Sequence, residues 1–181
     1  MRPIDTTIDA LTKQAYATPA VRASLVHSGM MSLYCDYSGS EQHLHGVACA
    51  VVFNRSVRVH ANRLEHDYSL GSDYGELLAI RFSLELLANE LANGRLQLSP
   101  APRCAVIFTD CRSASRLLAK CDFADSSYAN ACNEIHILLE RLKLAYPHFD
   151  VAIRYMHHRK AGNALHRMAH NAARACIGKQ G

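Results

Sequence analysis

The sequence predicts an α/β domain on a five-stranded mixed sheet, with three antiparallel strands followed by parallel strands and helices packed on the faces. Three observations predict it. Apolar and polar residues alternate over successive short segments from Met31 to Leu64, the period-2 pattern of half-buried strands. The apolar period then lengthens, and Leu77, Ile80, Leu84, Leu87 and Leu91 recur at helical spacing. Beyond that helix, Cys104-Ala-Val-Ile-Phe108 is apolar at every position, as expected of an interior parallel strand covered on both sides.

The elements follow in order. Residues 1–30 form an N-terminal arm punctuated by Pro3, Pro19 and Gly29, with a short helix expected from about Asp5 or Thr6. The first strand, Met31 to Tyr37, sets Leu33 and Cys35 on one face and Tyr34 and Asp36 on the other. Ser38-Gly39-Ser40 breaks it. The second strand runs from His45 to Phe53, turns at Asn54-Arg55 and continues as a third strand, Val57 to Leu64. A long helix covers Asp73 to Leu91 and ends before Gly94 and Pro100. After the apolar strand come a helix at Arg112 to Lys120 and another from Tyr128 to Ala145, closed by Pro147. Val151 to Met156 is the last strand, and the helix Asn163 to Cys176 stops at Gly178. The domain is expected to span 31–177, with a tail at 178–181. Strand, crossover helix and strand at the C-terminal half argue for βαβ units.

Composition bounds the function. At 181 residues and 49% apolar, the chain suits one domain with a core of its own. A formal charge of +4 excludes a polybasic tail or an acidic disordered chain; it permits a nucleic-acid partner without demanding one. The seven cysteines are odd in number, lack C-x-x-C spacing and fall partly inside apolar runs such as Val47 to Val51. Buried thiols in a reducing, cytoplasmic setting are the simplest account, with a zinc site the competitor. Acidic and basic residues interrupt any leader-like apolar stretch in the arm, and the longest apolar run, Val47 to Phe53, is far too short for a membrane span. Histidine is over-represented: 11 residues, roughly three times average usage.

Three carboxylates stand in unusual places. Asp36 lies in a strand, where aspartate is depleted, although an exposed strand end would accept it. Asp110 directly follows the apolar strand, at the carboxyl end where α/β sheets bind ligands, and could equally cap the next helix. Glu76 falls in the first turn of the long helix, where Asp73-Tyr-Gly-Glu76 also fits a capping box. Taken together, all three are placed toward one edge of the sheet. Clustered carboxylates repel unless a cation neutralises them, and hard oxygen ligands suit Mg²⁺ or Mn²⁺.

With Leu33-Tyr-Cys-Asp36-Tyr-Ser38, Ser72-Asp-Tyr-Gly-Glu76-Leu-Leu-Ala-Ile80 and Ile107-Phe-Thr-Asp110-Cys-Arg-Ser113 in this order, the chain resembles the ribonuclease H family over about residues 31–177. The resemblance implies a ribonuclease H-like fold and hydrolysis of the RNA strand of RNA–DNA hybrids with two divalent metals. It implies that Asp36, Glu76 and Asp110 are metal ligands. The family's fourth carboxylate, early in the last helix, is matched by His166 when Met168-Ala169 is aligned to the family's Leu-Ala; Asn163 then lies one residue out of register. A neutral imidazole can ligate Mn²⁺ or Mg²⁺ but brings no negative charge, and an exposed helix histidine is the plainer alternative. The family often carries a mobile histidine in the preceding loop. His157 or His158 would serve, with His158 favoured, and a basic loop touching phosphate with Arg159 and Lys160 is the competing reading.

The chain lacks a basic helical protrusion, so hybrid binding would rest on Arg112, Arg116 and Lys120, spaced four apart, with Arg154, Arg159 and Lys160. The resemblance makes Ser38, Gly39 and Ser72 candidates for contacts to 2′-hydroxyls. The leading expectation is therefore a Mg²⁺- or Mn²⁺-dependent endonuclease, monomeric by default, acting on hybrids. The alternatives are another nuclease or resolvase on the same fold, or a binding module without catalysis.

Overall fold

A computed structural model describes residues 4–40, 43–64, 70–94, 97, 100–120, 122–156 and 162–179. The five-stranded mixed sheet is present, in the order β3-β2-β1-β4-β5. Strands β1 (Met30–Gly39), β2 (His45–Phe53) and β3 (Ser56–Leu64) form the antiparallel meander. Strands β4 (Cys104–Thr109) and β5 (Asp150–Tyr155) extend it in parallel from β1. The β2–β3 hairpin turns on Asn54 (φ 45°) and Arg55 (φ 65°), between the paired residues Phe53 and Ser56. Two successive positive φ angles are those of the tight hairpin turn whose twist matches the strands.

Helices cover both faces. Helix α3 (Ser72–Ala92) and α5 (Ser126–Ala145) bury one face with Leu33, Cys35, Cys49, Val51 and Ile107. Asp125 caps α5, its carboxylate accepting from the Ser127 N–H at 2.7 Å. Helix α6 (Ala164–Ala175) covers the other face with Tyr34, Ala50 and Val52. It comes down closely on β2: a Cβ at Gly46 would lie 2.4 Å from Cys176 Sγ and 2.7 Å from the Ala173 carbonyl oxygen. A side chain there would lift the helix off the sheet.

The arm contains two helices rather than one short one, α1 (Ile4–Ala17) and α2 (Pro19–Val26). Leu11, Ala15, Val21 and Leu25 pack into the core beside α6. The Arg55 N–H donates to the Leu25 carbonyl at 2.8 Å and ties α2 to the hairpin. Helix α4 is shorter than expected, Ala114–Leu118. No helix among the described residues is long and apolar enough to cross a membrane. The described cysteines, at 35, 49, 104, 111, 132 and 176, are free thiols.

Candidate metal centre

The register of the sheet brings two of the carboxylates side by side. Strand β1 pairs with β4 from Met30 with Cys104 to Tyr34 with Phe108. Carried two residues further, the same register sets Asp36 beside Asp110, one pleat beyond Tyr34 and Phe108, whose rings stack with centroids 5.0 Å apart. Side chains two apart share a face. Both aspartates thus stand at the carboxyl end of the parallel pair on the face that α6 covers. Opposite Asp36 on β2 is Ala48, which leaves room for the carboxylate. Asp36 is only 2% exposed.

Helix α6 supplies the third group. Asn163 is its N-cap, and the amide oxygen accepts from the backbone N–H of Leu165 (3.1 Å) and of His166 (3.2 Å). The cap fixes where the first turn starts and so where His166 points. Its Nε2 lies 3.2 Å from Asp36 Oδ1 and 3.8 Å from Asp110 Oδ2. The imidazole is buried, and among the described residues Nε2 has no hydrogen-bond partner of good geometry. One ligand atom from each of Asp36, Asp110 and His166 lies within 4.8 Å of the others. A buried ring nitrogen aimed at two carboxylates, with oxygen and imidazole donors only, fits a divalent cation such as Mn²⁺ or Mg²⁺.

Glu76 is buried at the start of α3 but stands outside that set of three. The cluster is two carboxylates and an imidazole rather than three carboxylates. Glu76 still acts electrostatically on this end of the sheet. Burial pushes the Cys35 thiol well above its ordinary value, and Glu76, Cys49, Asp36 and Asp110 push it further. Cys111 is raised by burial, with Asp73 and Glu76 adding to the shift and the Ser113 hydroxyl opposing it. Both thiols stay protonated and are poor metal ligands.

Neither capping alternative holds. Gly71 (φ 94°), not Asp73, is the N-cap of α3, and Asp73 Oδ2 accepts instead from Ser113 Oγ at 2.6 Å. Helix α4 takes Ser113, not Asp110, as its N-cap, and the Cys111 N–H donates to Thr109 Oγ1 at 3.0 Å.

The candidate substrate contacts fare unevenly. Ser38 is buried beside Asp36 on β1, and the Gly39 carbonyl accepts from Lys179 Nζ. Ser72 is exposed in the first turn of α3. Arg112, Arg116 and Lys120 are exposed, but only Arg116 lies within α4, so they do not share one helix face; Lys120 instead stands over the Phe123 ring at 4.9 Å. The exposed Arg154 lies on β5. His157, His158, Arg159 and Lys160 lie outside the described residues.

One contact was not expected from the sequence. His170 Nδ1 lies 3.0 Å from Asp36 Oδ2. The signal was the spacing His166-x-x-x-His170, which puts both imidazoles on one side of α6.

No protein-family model and no curated protein sequence matches this chain. Solved structures do. The N-terminal ribonuclease H domain of Rv2228c from Mycobacterium tuberculosis, solved as a maltose-binding protein fusion, superposes with a TM-score of 0.56 at 10% identity, covering 82% of this chain and 96% of that one. Ribonuclease H1 from the halophilic archaeon Halobacterium salinarum superposes with a TM-score of 0.55 at 14% identity, covering 80% of this chain and 97% of that one. At these identities the likeness establishes the architecture.

Proposed function

From the ribonuclease H-like fold, we propose that this chain is a divalent-cation-dependent endonuclease that hydrolyses the RNA strand of RNA–DNA hybrids and leaves 5′-phosphate and 3′-hydroxyl ends. The observation that carries the reading is the convergence of Asp36, Asp110 and buried His166 at the carboxyl end of the parallel strands. Asp36, Asp110 and His166 would hold one ion, and Glu76 with Asp36 a second. A bound Mg²⁺ or Mn²⁺ ion activates water and neutralises charge on the scissile phosphate.

The chain's own groups do the rest. Asp36 and Asp110 are held on adjacent strands, so they present carboxylate oxygens with little reorganisation. His166 presents a ring nitrogen from a capped helix start. Ser38, Gly39 and Ser72 stand near the same end of the sheet as readers of the hybrid's sugar edge, and Arg112, Arg116 and Lys120 as phosphate contacts. So few cations imply a shallow salt dependence of binding. Free thiols among the described residues suit a reducing compartment, the cytoplasm.

The test is cleavage of an end-labelled hybrid with Mg²⁺ or Mn²⁺, beside duplex DNA, duplex RNA and a four-way junction. Hybrid cutting that disappears in Asp110→Asn supports the assignment; equal cutting by parent and variant sinks it. Preference for DNA or junctions would make it a different nuclease on this fold. A histidine in place of the fourth carboxylate and a sparse basic surface favour a non-catalytic nucleic-acid-binding module instead. Hybrid binding without cleavage in either metal would select that reading.

A further inference from the structure

Each oxygen of the Asp36 carboxylate faces a histidine. Oδ1 faces His166 Nε2 at 3.2 Å, and Oδ2 faces His170 Nδ1 at 3.0 Å. A carboxylate can only accept, so the His170 ring donates from Nδ1. The side chains differ in setting: that of Asp36 is buried, and that of His170 is 47% exposed. His170 is not one of the residues whose ligand atoms converge, so it stands behind Asp36 rather than in the cluster. The carboxylate torsion of aspartate is broad and would otherwise turn freely about its terminal bond. A donor on Oδ2 removes that freedom and leaves Oδ1 directed at His166 and Asp110.

Resting on the metal reading above, we propose that His170 is a positioning residue: its Nδ1–H clamps Asp36 Oδ2 so that Oδ1 is pre-set for a divalent cation. Helix α6 then contributes twice, His166 touching the cation and His170, one turn on, holding a ligand supplied by β1. Groups that hydrogen-bond a metal ligand commonly change metal affinity about 10–100-fold when removed.

Calorimetric titration of Mn²⁺ into the full chain, without nucleic acid, tests this on the parent, His170→Ala and His170→Asn. Asparagine keeps an N–H donor near the position of Nδ1. The alanine variant is expected to bind Mn²⁺ about 10–100-fold more weakly, with asparagine recovering most of the loss and all three melting alike in chelator. Parent-like Mn²⁺ affinity in His170→Ala, or no recovery in His170→Asn, overturns the positioning role while leaving the metal site standing. A parent that binds no Mn²⁺ overturns the metal reading and the role of His170 with it.

Discussion

Replacing His166 by aspartate adds a third carboxylate to the cluster, and it should cost stability before it brings any benefit. The imidazole nitrogen it removes lies 3.2 Å from one carboxylate and 3.8 Å from another. Aspartate is shorter, so its oxygens would stand further back. At about 6 Å and an effective dielectric near 20, each new like-charge pair costs about 3 kcal/mol. Protonating one carboxylate at neutral pH costs about 4 kcal/mol, which caps the total. Water entering past Asp110 lowers it further. A destabilisation of roughly 2–4 kcal/mol corresponds to a melting temperature lowered by roughly 5–15 °C in a protein of this size. Divalent cation should reverse it, because ions bind the native cluster and not the unfolded chain. The assay is thermal melting of parent and His166→Asp in chelator and then in Mg²⁺. The variant should melt lower in chelator and gain more from Mg²⁺ than the parent does. A variant that melts at or above the parent in chelator, or an equal gain for both proteins, refutes the electrostatic reasoning.

Asn163→Ala removes the cap that starts α6 and should cost about 1 kcal/mol by urea unfolding while also weakening Mn²⁺ binding, since His166 loses its anchor. Gly75→Ala places a methyl 2.4 Å from the Tyr37 ring and should cost about 1–3 kcal/mol by the same measurement. Burial pushes the Cys49 thiol from its ordinary 9.0 up to about 12, and Cys35 is also raised. The Cys49 contribution is complete below pH 9.0 and is lost as pH rises toward about 12, by about 1.4 kcal/mol per pH unit, and Cys35 acts in the same direction. Urea unfolding at stepped alkaline pH should show this fall, and Cys49→Ala should flatten it. Both thiols should resist alkylation in the native protein and react in urea.

Much of the fold was legible because it rests on local chemistry. The hairpin followed from Asn54-Arg55 between two alternating segments, and the interior strand from the unbroken apolar run at Cys104. Placement at helix starts was harder to read. Asp73-x-x-Glu76 has the spacing of a capping box, yet the chain enters α3 through Gly71, and the Asp73 carboxylate goes to Ser113, which is 40 residues away. That contact crosses between elements and has no local signature. Pro19 reads as punctuation in the sequence, yet it opens the arm's second helix, where proline is at home in the first turn.

The site divides the same way. Asp36 and Asp110 stand out by where they fall on their strands, and His166 only through the resemblance that matches Met168-Ala169. Their convergence depends on a β1–β4 register that no residue spells out. His170 was visible as one of four histidines crowded into residues 157–170. That it reaches Asp36 follows from the close seat of α6 on the sheet, where Gly46 leaves room for the helix, and from the four-residue offset to His166.

The central claim is that two aspartates on neighbouring strands and a histidine on α6 bind one divalent ion. An anomalous difference map from crystals soaked in Mn²⁺ tests it directly. The predicted result is a peak bonded to Asp36, Asp110 and the Nε2 of His166 at roughly 2.0–2.2 Å, the range of first-row metal–ligand bonds. A peak that leaves His166 unbonded, or no peak between the two aspartates, contradicts it.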